Sequence, residues 1–191
     1  MSIRILTLSG ASGSGKTTIA RELLKNKEFS TSAFRLIESF TTRQPRTSDL
    51  IGEYVYVNQE SFEKIKSGSA FIWTTSVRES SYGTLRNSID LALCSDYRIS
   101  LMLLVPETVK ILYDYFPKKH NLLRSLFVET APEIISRRMA SEDPKVVAKR
   151  LNDQRDWKAQ MMETGVRFET ISNNGELGET IKMVLGGLNE S

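Results

Sequence analysis

The 191 residues, of which 40% are apolar and 26% charged, fit one globular domain with a core of ordinary size. The net charge of +3 comes from 26 basic and 23 acidic residues mixed along the chain, without the basic run typical of nucleic-acid binding. The single cysteine, Cys94, excludes an internal disulfide, and no apolar segment reaches the roughly 18 residues that cross a bilayer. We therefore expect a cytoplasmic protein with neither nucleic acid nor membrane as a partner.

The first half of the chain opens with an alternation of strand and helix that is then interrupted. Residues 3–8 are a short β-rich run, and a helix is predicted from Lys16 to Leu24 after a glycine-rich turn. A second strand is expected at 34–37. A polar loop follows over 41–52, and then come short strands at 54–57 and 71–74 around a short helix at 60–66. Tyr82-Gly83 is interpreted as a turn.

The second half returns to regular alternation. Residues 99–105 are almost continuously apolar, which is typical of a strand covered on both faces. The remaining predicted elements are a helix at 85–93, a helix near 107–115, a strand near 126–128, a helix from Pro132, a long helix through Arg150 and Trp157, a strand at 168–171 and a helix from Leu177. This order predicts an α/β fold with a doubly wound parallel sheet.

The sequence contains a complete phosphate-binding loop directly after the first strand. Residues 10–17 read GASGSGKT and match G-x-x-x-x-G-K-[ST] at every fixed position. The glycines let successive N–H groups point at phosphate oxygens, and the helix that starts near Lys16 adds its N-terminal dipole. Lys16 is expected to reach the β- and γ-phosphates and Thr17 to ligate Mg²⁺. The predicted ATP-binding residues in this loop are Gly10, Ala11, Ser12, Gly13, Ser14, Gly15, Lys16 and Thr17.

A second set of residues resembles the acceptor-binding region of the guanylate kinase family. The residues are SFTTRQPR at 39–46, then Asp49, Gly52 and Tyr54, and then Tyr82-Gly83-Thr84. The resemblance extends from the phosphate loop to Asn173-Asn174 and implies that the phosphate of an incoming nucleoside monophosphate is held by a serine, two arginines and two tyrosines. By position, the implied acceptor-binding residues are Ser39, Arg43, Arg46, Tyr54, Trp73, Tyr82 and Thr84, and Thr18 and Asn173 join the ATP-binding residues.

The resemblance also implies a domain organisation and a moving part. We expect one domain over residues 1–191, with a P-loop core at 1–38 and 84–191, an inserted β-rich acceptor-binding subdomain at 39–83 and a short lid at about 138–147. A lid that closes over the triphosphate excludes water, so that transfer competes with hydrolysis. Arg138 and Arg150 match arginine positions of the lid, and with Lys16 they are the predicted catalytic residues.

The sequence departs from the family at the base-reading end of the acceptor site. Guanylate kinases read guanine with a glutamate at the position of Trp73, and a second carboxylate is absent from the strand at 101–105. A site without such acceptors discriminates weakly in favour of guanine. The acceptor is therefore expected to be a phosphorylated compound, GMP or a relative.

Three readings of the function remain open at this point. The first is an ATP- and Mg²⁺-dependent nucleoside monophosphate kinase. The second is a kinase for a sugar phosphate such as a ribose bisphosphate, and the third is a catalytically silent protein-binding module of guanylate kinase type. The intact Lys16-Thr17 pair argues against the third. A homodimer is compatible with each of them.

Overall fold

A computed structural model describes residues 3–25, 34–77, 79–94, 99–116, 118–140 and 142–189. Nine strands and seven α-helices lie in these residues. The strands are β1 (Ile5–Ser9), β2 (Phe34–Leu36), β3 (Ser39–Thr41), β4 (Tyr54–Tyr56), β5 (Phe71–Val77), β6 (Ser80–Leu85), β7 (Ile99–Leu103), β8 (Leu123–Glu129) and β9 (Phe168–Ser172). The helices are α1 (Lys16–Lys25), α2 (Gln59–Ser67), α3 (Arg86–Cys94), α4 (Pro106–Tyr115), α5 (Pro132–Arg138), α6 (Pro144–Glu163) and α7 (Leu177–Asn189).

The main sheet has five parallel strands in the order β2-β7-β1-β8-β9. Its central strand, β1, is buried at every position, as a strand with helices on both faces must be. Leu6 and Leu8 pack with α1 and α7 on one face, whereas Ile5 packs with α4 on the other. The expected doubly wound α/β fold is confirmed, and the carboxyl end of β1 places the phosphate loop at the centre of the sheet.

A second, smaller sheet is formed by residues that lie between β2 and β7 in the sequence. Its four strands run in the order β4-β3-β6-β5, with β3 parallel to β4 and antiparallel to β6. The prediction of a turn at Tyr82-Gly83 is wrong, because both residues lie inside β6. Gly83 is in this strand for a packing reason: a Cβ atom there would lie 3.0 Å from the ring of Phe71.

Several helices begin where the sequence signals a start. α4 and α6 each have proline in the first turn. Backbone N–H groups there have no partner within the helix, so the missing N–H of proline costs no hydrogen bond. Asp143 caps α6 by accepting a hydrogen bond from the backbone N–H of Lys145 at 2.7 Å. The predicted lid spans the end of α5 and the start of α6, and Ser141 within it lies outside the described residues. Within the described ranges, no helix is long and apolar enough to cross a membrane.

Candidate functional site

The loop between β1 and α1 depends on glycines for its curvature. Gly10, Gly13 and Gly15 have positive φ angles of 140°, 89° and 97°. A Cβ atom on Gly10 would collide with the carbonyl oxygen of Val128 in β8, and one on Gly15 would collide with the side-chain amide of Asn173. Side chains are therefore excluded from these positions by both backbone conformation and space.

Side chains from the ends of β8 and β9 fix the loop from below. Thr130 Oγ1 donates to the carbonyl oxygen of Ser14 at 3.0 Å, and Asn173 Nδ2 donates to the same oxygen at 2.7 Å. Thr180 Oγ1 in turn donates to Asn173 Oδ1 at 3.1 Å, which sets the orientation of the amide. The loop is thus held in a fixed shape by neighbours that lie at the same edge of the sheet.

Lys16 points back across its own loop. Its Nζ donates to the carbonyl oxygens of Gly10 at 2.6 Å and Ala11 at 2.8 Å, and it lies 5.5 Å from the ring centroid of Trp157 in α6. Burial lowers the pKa of Lys16 to about 8, and the negative charge of Glu53 opposes that shift. Glu53 directly precedes β4 of the small sheet.

A cavity of about 430 Å³ opens above this loop. Most of the predicted ATP-binding residues line it, together with Arg138 and two residues that the sequence did not single out, Gly175 and Leu177. The predicted residues in its lining are Ser12, Gly13, Gly15, Lys16, Thr17, Thr18 and Asn173. Gly10, Ala11 and Ser14 are buried beneath the loop surface and do not line it.

The two predicted lid arginines occupy different surroundings. Arg138 lines the cavity, and its Nη2 donates to the backbone oxygen of Asn173 at 3.0 Å. Arg150 lies on α6, where its Nη1 is 3.6 Å from the sulfur of Met139, and it is absent from the cavity lining. The structure therefore places Arg138 in the cavity wall and Arg150 against Met139, whose sulfur packs beside Gly13 of the phosphate loop. A catalytic role for either arginine stays a prediction.

On the small sheet, the predicted acceptor residues form a connected group. The hydroxyls of Ser39 and Thr84 share a hydrogen bond of 2.8 Å across β3 and β6. The rings of Tyr54 and Tyr82 meet edge to face, with centroids 6.1 Å apart. The guanidinium of Arg43 lies 5.0 Å from the ring centroid of Tyr54, which is a cation–π distance.

Asp49 organises the arginine-bearing loop next to these strands. Its carboxylate accepts from Arg43 Nη2 at 2.9 Å, from the Arg46 backbone N–H at 2.7 Å and from the Tyr56 hydroxyl at 2.6 Å. Burial opposes ionisation of Asp49, but the hydrogen bonds from Arg43 and Tyr56 outweigh it and lower the pKa of the carboxyl. The exposed Arg46 side chain makes no hydrogen bond or ion pair within the described residues, so its guanidinium is available to an anion.

Tyr54 and Glu53 connect this group to the phosphate loop. Burial, together with the charge of the neighbouring Glu53, raises the pKa of Tyr54 above its ordinary value. Burial also raises the pKa of Glu53, whose Oε2 accepts from the Leu50 backbone N–H at 3.0 Å. Tyr54 is therefore a neutral hydrogen-bond donor at working pH.

Trp73 lies apart from these polar contacts. Its side chain is 6% exposed and belongs to the apolar cluster that includes Ile37, Ile89 and Leu104. Among the residues that the structure describes, its indole Nε1 finds no hydrogen-bond partner. A role for Trp73 in acceptor binding stays a prediction.

Besides Gly175 and Leu177, sequence reasoning missed three further residues of this site. Trp157 and Glu53 gave no motif signal, because each reaches Lys16 from a distant element. Thr130 follows β8 directly, and the rule that parallel strands place their carboxyl ends at one edge of the sheet could have identified it.

The chain was compared with known proteins. The sequence profile of the family described as guanylate kinase matches residues 2–190. A guanylate kinase of Chelativorans sp. is 32% identical over 148 residues, which cover 71% of this chain and 66% of that protein. A guanylate kinase of Bartonella quintana is 40% identical over 90 residues, covering 47% of this chain and 38% of that protein. The chain thus spans less than two thirds of the length of these two relatives.

Among solved structures, guanylate kinase from Anaplasma phagocytophilum aligns over 99% of this chain and 85% of its own, with a TM-score of 0.69 and 18% identity. A gluconokinase from Sinorhizobium meliloti aligns over 97% of this chain and 91% of its own, with a TM-score of 0.50 and 16% identity. At these identities the likeness concerns the fold alone.

Proposed function

Because the chain belongs to the guanylate kinase family, whose profile covers residues 2–190, we propose that it transfers the γ-phosphate of ATP to a phosphorylated acceptor of the nucleoside monophosphate class, GMP or a relative. The observation that carries the proposal is the glycine loop under the cavity. In this loop Gly15 lies so close to Asn173 that a Cβ atom on Gly15 would collide with the Asn173 side chain. Such a cradle of backbone N–H groups at a helix N-terminus binds phosphates.

The residues of the cradle would act on the triphosphate by position and charge. Lys16 would exchange its two carbonyl partners for oxygens of the β- and γ-phosphates, and Arg138 would approach the same charge from the cavity wall. The γ-phosphorus would lose its bond to the bridging oxygen as it gains one to an oxygen of the acceptor phosphate. Since that oxygen is already an anion, no general base is needed.

The acceptor phosphate would be bound by the arginines and tyrosines of the small sheet. Arg43 is held by Asp49 and Tyr54, so it loses little side-chain freedom on binding, whereas the Arg46 guanidinium supplies a second, unpaired fork. Tyr54 and Tyr82 would complete the hydrogen-bond shell of the phosphate as neutral donors.

The residues present fit a magnesium ion that arrives with the nucleotide. Mg²⁺ usually takes one or two protein ligands and completes its shell with phosphate oxygens and water. The Thr17 hydroxyl lines the cavity beside Lys16 and would be such a ligand, and the described residues contain no group of three or more acidic, histidine or cysteine side chains that could hold an ion by themselves. When bound, the ion would neutralise charge on the phosphates.

The test is an ADP-release assay with MgATP and a panel of acceptors: GMP, dGMP, AMP, CMP, UMP and ribose phosphates. We expect turnover with at least one of them and loss of turnover by a factor of about 100 or more in Lys16→Ala, because the charge on the transferring group is then unmatched. Lys25→Ala, at the exposed end of the same helix, is the matched control and should retain turnover.

Two results would contradict the proposal. Undiminished turnover in Lys16→Ala would remove the phosphate loop from the mechanism. No turnover with any acceptor, in a protein that still binds MgATP, would favour the silent binding module.

A further inference from the structure

The segment that follows Arg43 folds into two consecutive turns. In the first, the Asp49 backbone N–H donates to the Arg46 carbonyl oxygen at 3.1 Å, and the Asp49 carboxylate accepts from the Arg46 backbone N–H at 2.7 Å. In the second, the Glu53 backbone N–H donates to the Leu50 carbonyl oxygen at 3.0 Å, and Glu53 Oε2 accepts from the Leu50 backbone N–H at 3.0 Å. Each turn is closed twice by the acidic residue at its end. We call residues 46–53 the double turn.

The two predicted acceptor arginines move with the double turn. Arg46 is its first residue, and Arg43 Nη2 donates to Asp49 Oδ1 at 2.9 Å. The side chains of Arg43 and Asp49 are only 10% and 13% exposed, so this ion pair is largely shielded from water. A displacement of the double turn would therefore displace the guanidinium of Arg43 as well.

Leu50 and Arg21 hold the double turn against the core of the parallel sheet. Leu50 is buried and belongs to the apolar core cluster that includes Ile19 and Leu23 of α1. Arg21, on the same helix, donates from Nη2 to the Ser48 carbonyl oxygen at 3.3 Å. The double turn is thus attached to the core around α1 by an apolar contact and to α1 itself by a hydrogen bond.

Burial within the second turn is specific to position 50. Ile51, the next residue and of the same volume, is fully exposed. Gly52 has a φ angle of 80° and reverses the chain, which brings it back towards β4. Since burial of a leucine side chain is strongly favourable, Leu50 fixes where this turn lies.

The helix that receives these contacts is the helix of the phosphate loop. Lys16, Thr17 and Thr18 in the first turn of α1 line the cavity, and Arg21 follows one turn later. One helix therefore carries phosphate-loop residues at its N-terminus and meets the double turn along its side. In a transfer that needs no general base, the rate depends on how accurately the two phosphates are placed relative to each other.

We propose that Leu50 and Arg21 are positioning residues, which set the place of the acceptor phosphate relative to the phosphate loop by fixing the double turn to α1. This inference rests on the proposed function, because it takes the acceptor phosphate to bind at Arg43 and Arg46. The two residues act through the double turn and not by contact with a reacting atom. Because every acceptor presents the same phosphate, the effect is independent of the rest of the acceptor.

Leu50→Ala tests the apolar contact. It removes most of a buried side chain and keeps the backbone hydrogen bonds of both turns, so the double turn loses its position but not its shape. We expect kcat/KM to fall by about 10- to 100-fold, as for a displacement of about 1 Å, and by the same factor for each of GMP, dGMP, AMP, CMP, UMP and ribose phosphates that the wild type phosphorylates. The affinity for MgADP, measured by calorimetry, should stay within about twofold, because the phosphate loop keeps its own contacts with Thr130 and Asn173.

Further variants separate position from bulk and from general stability. Leu50→Met keeps a large apolar side chain and should restore kcat/KM to within about threefold of the wild type. Ile51→Ala truncates the exposed neighbour and is the matched control, with kcat/KM unchanged. Arg21→Ala removes one hydrogen bond and should lower kcat/KM by about threefold, whereas Lys25→Ala, one turn further along α1, should not change it.

Hydrogen exchange provides a readout that needs no acceptor. The backbone N–H groups of Arg46, Asp49, Leu50 and Glu53 are all bonded within the double turn. In Leu50→Ala they should exchange about tenfold or more faster than in Ile51→Ala, with exchange in α1 unchanged. Thermal unfolding shows whether Leu50→Ala is folded, and the smaller truncation Leu50→Val together with Arg21→Ala replaces it if it is not.

The outcomes distinguish this inference from the proposed function. Wild-type kcat/KM in Leu50→Ala, a loss confined to one acceptor, or an equal loss of MgADP affinity would overturn the positioning role and leave phosphotransfer intact. Absence of turnover with every acceptor in the wild type would contradict the proposed function, and with it this inference.

Discussion

Trp157 is the side chain outside the phosphate loop that lies over its lysine. Its ring centroid is 5.5 Å from Lys16 Nζ. Two neighbours in α6 fix the helix at this point. Gln154 Nε2 donates to the Thr130 carbonyl at 3.0 Å, and Lys158 Nζ lies 2.6 Å from Glu129 Oε1. Since Thr130 also bonds to Ser14, the helix and the loop are tied to the same residue. The geometry indicates that Trp157 positions the ammonium of Lys16.

This role predicts different effects of two substitutions at position 157. Trp157→Leu keeps an apolar side chain but removes the π-system, and we expect kcat/KM for the best acceptor and the affinity for MgADP to fall roughly 3- to 10-fold, as for a partly desolvated cation–π pair. Trp157→Phe retains a ring and should lie close to the wild type. Equal losses in the two variants would show that the ring acts only through packing and not through the cation–π contact with Lys16.

The phosphate-binding residues could be predicted from the sequence and Trp157 could not, for a physical reason. The fixed glycines, Lys16 and Thr17 are adjacent in the chain, so their spacing alone specifies the chemistry. Trp157 reaches Lys16 only because α6 folds back over β1, and no local pattern records that contact. Arg150, which matches a lid position in the sequence, contacts Met139 beside Gly13, and its catalytic role stays a prediction.

At the scale of elements, α7 carries two consecutive glycines in different surroundings. A Cβ atom on Gly186 would meet nothing within 4 Å, whereas one on Gly187 would collide with the guanidinium of Arg124. That guanidinium is buried and binds Glu169 with Nε at 3.0 Å and Nη2 at 2.7 Å. Gly187 therefore makes room for the Arg124 guanidinium under the helix, whereas Gly186 has no such role and only weakens the helix.

Substitution by alanine is expected to change the free energy of unfolding in opposite directions at the two glycines. Gly186→Ala should raise the free energy of unfolding by about 0.4–1 kcal/mol, because alanine restricts the unfolded chain and favours the helix. Gly187→Ala should lower it by roughly 1–3 kcal/mol, because the guanidinium must move or lose its partners. Urea unfolding of both variants measures the pair; a stabilising Gly187→Ala would show that Arg124 can shift without cost.

The elements themselves follow from sequence wherever one signal dominates. The apolar run at β7 and the proline that opens α5 were sufficient to place those elements. Tyr82-Gly83 misled because glycine is a common turn residue, whereas here the glycine makes space for Phe71 of the neighbouring strand β5. The deciding contact lies in a neighbouring strand and is invisible in the local sequence.

In the whole molecule, two sheets have separate tasks. The parallel sheet places the loop after β1 and the residues after β8 and β9 at one edge, and the small sheet brings Arg43 together with Tyr54 and Tyr82. Alternation of strands and helices predicted the first sheet. The order β4-β3-β6-β5 could not be predicted, because pairing of short strands in an insertion is decided by side-chain contacts such as Ser39 with Thr84.

The same architecture makes acid stability depend on the ion pair between β8 and β9. The hydrogen bond from Arg124 is the main cause that lowers the pKa of Glu169, with burial opposing it. A folded-state pKa below the unfolded value of about 4.5 means that the unfolded chain binds the proton first as the pH falls. The contribution of Glu169 is therefore complete above about pH 5 and declines as the pH drops through the folded-state pKa.

Glu169→Gln tests this linkage. At pH 7 the variant should be less stable than the wild type, because Arg124 is left buried without its counter-charge. The difference in free energy of unfolding should shrink steadily between about pH 5 and pH 3, as the wild-type carboxyl takes up a proton. Glu163→Gln, at the exposed end of α6 and in no ion pair within the described residues, should show a difference near zero at every pH. A Glu169→Gln difference that stays constant from pH 7 to pH 3 would mean that the pairing with Arg124 gives the fold no acid dependence.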